Sequence, residues 1–97
     1  MNRLLKANLL TETGRPNKIL LPPSASRLIP VTPLTGVGPR IHRLTVLPYE
    51  PLALRSIFAI VAVYRSTDII TSVVLYNGSH ETNYIQHELI VAEVADI

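Results

Sequence analysis

Three histidines, a few carboxylates and one serine beside a histidine are the residues of this chain equipped to act as ligands, bases or nucleophiles. His80-Glu81 and His87-Glu88 form a repeated pair of metal-binding residue types. If positions 80 and 87 share one strand, their odd separation sends the two rings to opposite faces. No third ligand stands out in the sequence. Ser79-His80 with Asp68 or Asp96 has the composition of a hydrolytic triad, but adjacent residues seldom make the nucleophile–base bond, and no Gly-x-Ser-x-Gly turn occurs. Glu88 and Glu93 are five apart and fall on opposite faces of a strand, so they do not flank one substrate bond. Gly36-Val37-Gly38-Pro39 is a fragment of a phosphate loop without its lysine, and Pro39 removes an amide that would face the phosphate. Asn77-Gly78-Ser79 matches a glycosylation sequon, which without a secretion signal means only a turn. The expectation is a protein that is not an enzyme, with no catalytic, cofactor-binding or metal-binding residues.

The elements that would position such residues divide sharply. All eight prolines lie at or before Pro51, and Gly14, Gly36 and Gly38 fall on the same side. Proline fixes its own φ and cannot donate to a ladder, and it drives the preceding residue into extended geometry. Residues 1–39 therefore read as an extended N-terminal arm, with a short helix from Asn2 to about Leu10 that Gly14 stops. Residues 40–97 read as a small β domain. The whole is expected to be mainly β, a small sandwich or barrel with a long proline-rich arm.

Within the domain, Ile41–Leu47 alternates as a half-buried strand around Leu44 and Val46. Ser56–Arg65 is apolar on both faces, the pattern of a central strand covered on both sides. A helix over 52–65, opened by Pro51, is the rival reading of that stretch. Ile69–Tyr76 is a further strand ended by Asn77-Gly78, a strong hairpin signal. Asn83 to about Val94 reads as one long final strand.

Composition bounds the partners. At 97 residues with no cysteine, the chain is small and has neither disulfides nor thiolate metal sites to staple it. It is 47% hydrophobic and 16% charged, too apolar for a disordered tail. The longest apolar run, Ile57–Tyr64, has eight residues, against roughly 20 for a membrane-spanning helix. Lys6 and Asn8 interrupt the apolar start and no small-residue cleavage site follows it, so an uncleaved chain of cytosolic origin, not secreted, is expected. Up to residue 48 there are seven basic groups against Glu12 alone; beyond it, Arg55 and Arg65 face six acids. That polarity suits head-to-tail packing of copies or an acidic partner.

The arm carries Ile19, Leu20, Leu21, Leu28, Ile29, Val31 and Leu34, more apolar surface than a free linker bears. Strand addition to a neighbour's sheet edge would use it, with Arg15 and Arg27 as accompanying contacts. Wrapping around its own domain is the alternative. In architecture, the arm Arg15–Pro39 followed by the strands of Ile41–Val94 resembles small capsid-associated and decoration proteins of tailed bacteriophages. That resemblance implies a virion component that cements capsid subunits or joins head and tail parts. Its partners would be other protein subunits, as a homo-oligomer or a capsid-type lattice, with no cofactor and no membrane. A nucleic-acid-binding module of ribosomal or nucleoprotein type, using the basic half, is the other reading. It is the less expected, because no aromatic residue precedes Tyr49 for base stacking.

Overall fold

The computed structural model describes residues 2–97. Nine strands and a single helical turn follow in the order β1 (Arg3–Lys6), β2 (Lys18–Leu21), β3 (Ser26–Thr35), β4 (Arg43–Pro48), α1 (Glu50–Ala53), β5 (Ile57–Ala59), β6 (Ala62–Arg65), β7 (Ile69–Asn77), β8 (Asn83–Gln86) and β9 (Ile90–Asp96). One sheet has the order β1-β9-β4-β6, a second the order β3-β7-β5, and β2-β8 forms a separate ribbon. The strand pairs are antiparallel. The protein is thus mainly β, a small sandwich-like fold whose two larger sheets are joined at both sides. On one side the chain steps from β5 into β6 at Ile60-Val61. On the other, Ala7 bridges Val31 and the Asn8 amide donates to the Pro30 carbonyl at 2.9 Å.

The proline-rich opening is extended, as its prolines require, but it is not a body apart from residues 40–97. β1, β2 and β3 pair with β9, β8 and β7 of the same chain. Leu5, Ala7, Leu9, Leu21, Ile29 and Val31 lie in one core with Leu44, Val46, Ile70, Leu75, Ile85 and Val94. A strand tethered to its target arrives at an effective concentration in the millimolar range, which a separate molecule must match to displace it. The arm is therefore a wrap around its own domain. Pro30 is tolerated because β3 is an edge strand, and the register of β3 against β7 shifts between Pro30 and Leu34.

Several local expectations change with it. The opening forms a strand in place of a helix: Leu5, Ala7 and Leu9 are buried and Leu4, Lys6, Asn8 and Leu10 are exposed, a period of two. Helicity ends after α1, where Pro51 sits in the first turn. The Ser56–Arg65 stretch is strand, broken into β5 and β6, and both pieces lie at sheet edges. Asn83–Val94 is two strands, turned at His87–Leu89, where Glu88 holds a left-handed φ of 69°. Asn77 is the buried last residue of β7, outside any tight hairpin turn. Gly36 lies so close against Ser66 that a Cβ there would overlap its backbone, while its amide donates to the Ser66 carbonyl at 3.0 Å. The connection from β3 to β4 is thus held closely at Gly36.

Candidate interaction surface and polar groove

The outer face of the β3-β7-β5 sheet is built by three cross-strand rows. Ser26, Tyr76 and Phe58 form the first; Leu28 and Val74 form the second with Ile60, whose amide donates to the Val74 carbonyl at 2.9 Å; Pro30 and Ser72 form the third. None of these eight side chains is charged. Leu28 is 63% exposed, Ile60 49% and Phe58 36%. Solvated sheet faces normally alternate to polar residues outward, whereas this one presents leucine, isoleucine and phenylalanine.

The same face runs into a cavity of about 100 Å³ lined by Leu28, Ile60, Ala62, Tyr64, Ser72 and Val74 among others. The cavity exists because β6 and β7 part company. A tight turn joins them, closed by the Asp68 amide on the Arg65 carbonyl at 2.9 Å and the Arg65 amide on Asp68 Oδ2 at 3.0 Å. Beyond the turn, β6 pairs with β4, whereas β7 pairs with β3 and β5. The seam between the two strands is left open and apolar. Val61 and Val63 are also exposed, on the side of the β6 segment opposite to Ala62 and Tyr64.

The sequence-derived contact residues distribute unevenly over the molecule. Leu21, Ile29 and Val31 are buried in the chain's own core, and Ile19 and Leu34 pack against it. Leu20 and Leu28 remain exposed. Arg27 donates to the Leu20 carbonyl at 3.2 Å, and Arg15 lies in the turn between β1 and β2. Only Leu28 of the seven apolar residues belongs to the uncharged face. Phe58, Ile60, Val61 and Val63 escaped the sequence reading because a strand apolar on both sides reads as central.

A second concavity, about 480 Å³, opens between α1 and the His87–Leu89 turn, with Tyr49, Leu52, Arg55, Gln86, His87 and Glu88 on its walls. The Leu9 amide donates to His87 Nδ1 at 3.0 Å, and His87 Nε2 lies 3.4 Å from Glu88 Oε1. Arg55 donates to Asn83 Oδ1 at 2.9 Å. Ser79 Oγ bonds Asn77 Oδ1 at 2.7 Å and the Glu81 carbonyl at 2.9 Å, not a histidine, so the Ser79-His80 pair forms no nucleophile–base couple. Among the described residues no three His, Cys, Asp or Glu side chains gather as a metal site.

Two further polar knots hold the scaffold. Asn77, fully buried, donates through Nδ2 to the Leu21 and Glu81 carbonyls, both at 2.8 Å, and accepts at Oδ1 from the Ser79 amide and hydroxyl. Every valence of its amide is used, tying β2, β7 and the following loop together. Asp96 accepts from Arg3 at 3.0 Å, with His42 Nε2 3.4 Å from its other oxygen. The Arg3 hydrogen bond is the largest influence on Asp96 and, against some desolvation, holds its carboxyl below the usual range; Arg3 and His42 charges add to the effect. Basic and acidic halves of the chain thus meet at least once within one molecule. No known family model matches the chain, and no curated protein matches it significantly.

Proposed function

We propose that this chain is a non-enzymatic structural module that associates with other protein subunits through the uncharged outer face of its β3-β7-β5 sheet. The observation that supports the reading is the exposure of Leu28, Phe58 and Ile60 together on a charge-free sheet face. Contiguous apolar surface is rare on a chain that works alone, and depletion of charge marks the centre of protein interfaces. Full burial of such a side chain from water stabilises by about 1.5–3 kcal/mol, and covering the part of each that is still exposed contributes a corresponding fraction of that. The setting proposed for it is a virion, as a capsid decoration, cement or head–tail joining component. That setting rests on the small cysteine-free β architecture with a proline-rich opening. The clamping contact moves from the arm, whose anchors serve the chain's own core, to the face that β3 shares with β5 and β7.

Sedimentation of the purified chain and of Leu28→Glu/Ile60→Glu tests the proposal. Both side chains are exposed, so the variant is expected to fold as the parent does. The parent is expected to associate, with itself or with lattice subunits, and the variant to remain monomeric. Equal association of both would contradict this use of the face. Binding to nucleic acid that weakens steeply with salt would favour the nucleic-acid module instead.

A further inference from the structure

We propose that His87 is a protonation-operated latch on the opening segment of the chain. The hairpin from Leu9 to Asn17 is tied to the His87–Leu89 turn by an unusual seam. Ala7 donates to the Leu89 carbonyl at 2.8 Å, Glu88 to the Ala7 carbonyl at 2.8 Å, and His87 to the Asn17 carbonyl at 3.0 Å. Asn17 in turn donates to the Leu9 carbonyl at 2.8 Å. The remaining amide of this seam, that of buried Leu9, has the His87 ring as its acceptor, through Nδ1 at 3.0 Å.

A backbone amide only donates, so this bond exists only while Nδ1 carries a lone pair. The geometry therefore fixes the neutral tautomer with its proton on Nε2, which faces Glu88 Oε1 at 3.4 Å. When the ring takes a second proton, Nδ1 becomes a donor pointing at a donor. The Leu9 amide then loses its partner inside the core, and the hairpin loses its side-chain tie. The ring is only 15% exposed, which limits its freedom to swing into solvent.

The charges around the ring are few. Glu88 on its own turn is the nearest; Tyr49 and Arg55 line the opposite side of the same groove, from the α1 region. Lys18 at the start of β2 is turned onto the Tyr84 ring, 4.6 Å from its centroid. Glu12 and Arg15 lie in the exposed turn of the hairpin. The opening segment itself presents backbone to His87, so the latch responds to the ring's proton rather than to a pairing charge. Opening loosens the Leu9 end of the hairpin, while the His87 amide still donates to the Asn17 carbonyl and β1 stays paired with β9.

The test is amide hydrogen exchange by NMR on the intact chain between about pH 8 and pH 5, the range in which histidines change charge. The His87 ring proton shifts report its own protonation in the same samples. As the ring protonates, the protection factor of the Leu9 amide is expected to fall about tenfold, the size of one lost hydrogen bond. Amides of β7 are expected to keep theirs. His87→Asn places a carboxamide oxygen where Nδ1 lies and does not titrate; Leu9 protection in it is expected to be independent of pH. Constant Leu9 protection in the parent while the His87 ring titrates would overturn the latch, and that result needs no variant. An equal pH response in His87→Asn would overturn it as well.

Discussion

At the scale of single residues, the side-chain bonds of Asn77 and Asp96 serve architecture. Asn77 spends its whole amide on carbonyls and on Ser79 in the interior. Asn77→Leu would take away the side-chain donor to the Leu21 carbonyl and the acceptor of the Ser79 amide, while Ser79 Oγ and the Glu81 carbonyl keep each other. It is expected to lower unfolding free energy by about 2–4 kcal/mol in urea titration. The sequence offered Asn77-Gly78 as a turn, because an asparagine followed by glycine most often marks one. What it could not display is that Leu21 and Glu81 converge on the same side chain. Asp96 makes a pH prediction with a definite sign. Its folded-state carboxyl titrates below the ordinary 3.8 because of Arg3 and His42, so its contribution is present above that value and disappears as pH falls through the lower folded one. Parent and Asp96→Asn are expected to differ in melting temperature at neutral pH and to converge only in acid below the lowered folded-state value. A gap that persists or widens in acid would rule this sign out.

At the scale of elements, the legible features were those set by local chemistry. Leu44 and Val46 alternate with polar neighbours, and β4 forms around them with both buried. The prolines guaranteed an extended opening. Which edge that opening would meet was hidden, because strand pairing is decided by contacts distant in sequence. The β1 helix expectation failed for a related reason: Leu4, Leu5 and Leu9 suit a two-turn stripe, yet the ladder to β9 at Leu5, the bridge of Ala7 to Val31 and the bond of Leu9 to His87 select the period-two set Leu5, Ala7 and Leu9. Ile29→Ala discriminates the two roles of the opening. Ile29 is fully buried in the shared core, so the substitution is expected to cost about 2–5 kcal/mol of stability in the isolated chain. An anchor used only on a neighbouring molecule would leave that stability unchanged. The ribbon β5–β6 was misread in the informative direction. Its sequence asks for cover on both faces, its position gives cover on one, and the difference is the exposed apolar surface.

At the scale of the whole molecule, residues 2–97, without a disulfide, form a plate with principal extents of 42 × 32 × 18 Å. A plate this thin has much surface for its interior, which favours covering one broad face with another protein. Removing residues 1–39 would strip β1, β2 and β3 from the sheets and ribbon they belong to. That truncation is expected to abolish the cooperative unfolding transition seen by circular dichroism; a remainder that melts cooperatively would show that 40–97 folds without the wrap. The absence of cysteine gives the central claim a direct probe. A single Leu28→Cys places the only thiol of the chain on the uncharged face, and maleimide labelling reads its accessibility. Rapid labelling of the dilute chain, slowed at least tenfold once the chain is in its assembly, is the predicted result. Equal labelling rates in both states would contradict the account, because the face would then be open to water where it is proposed to be covered.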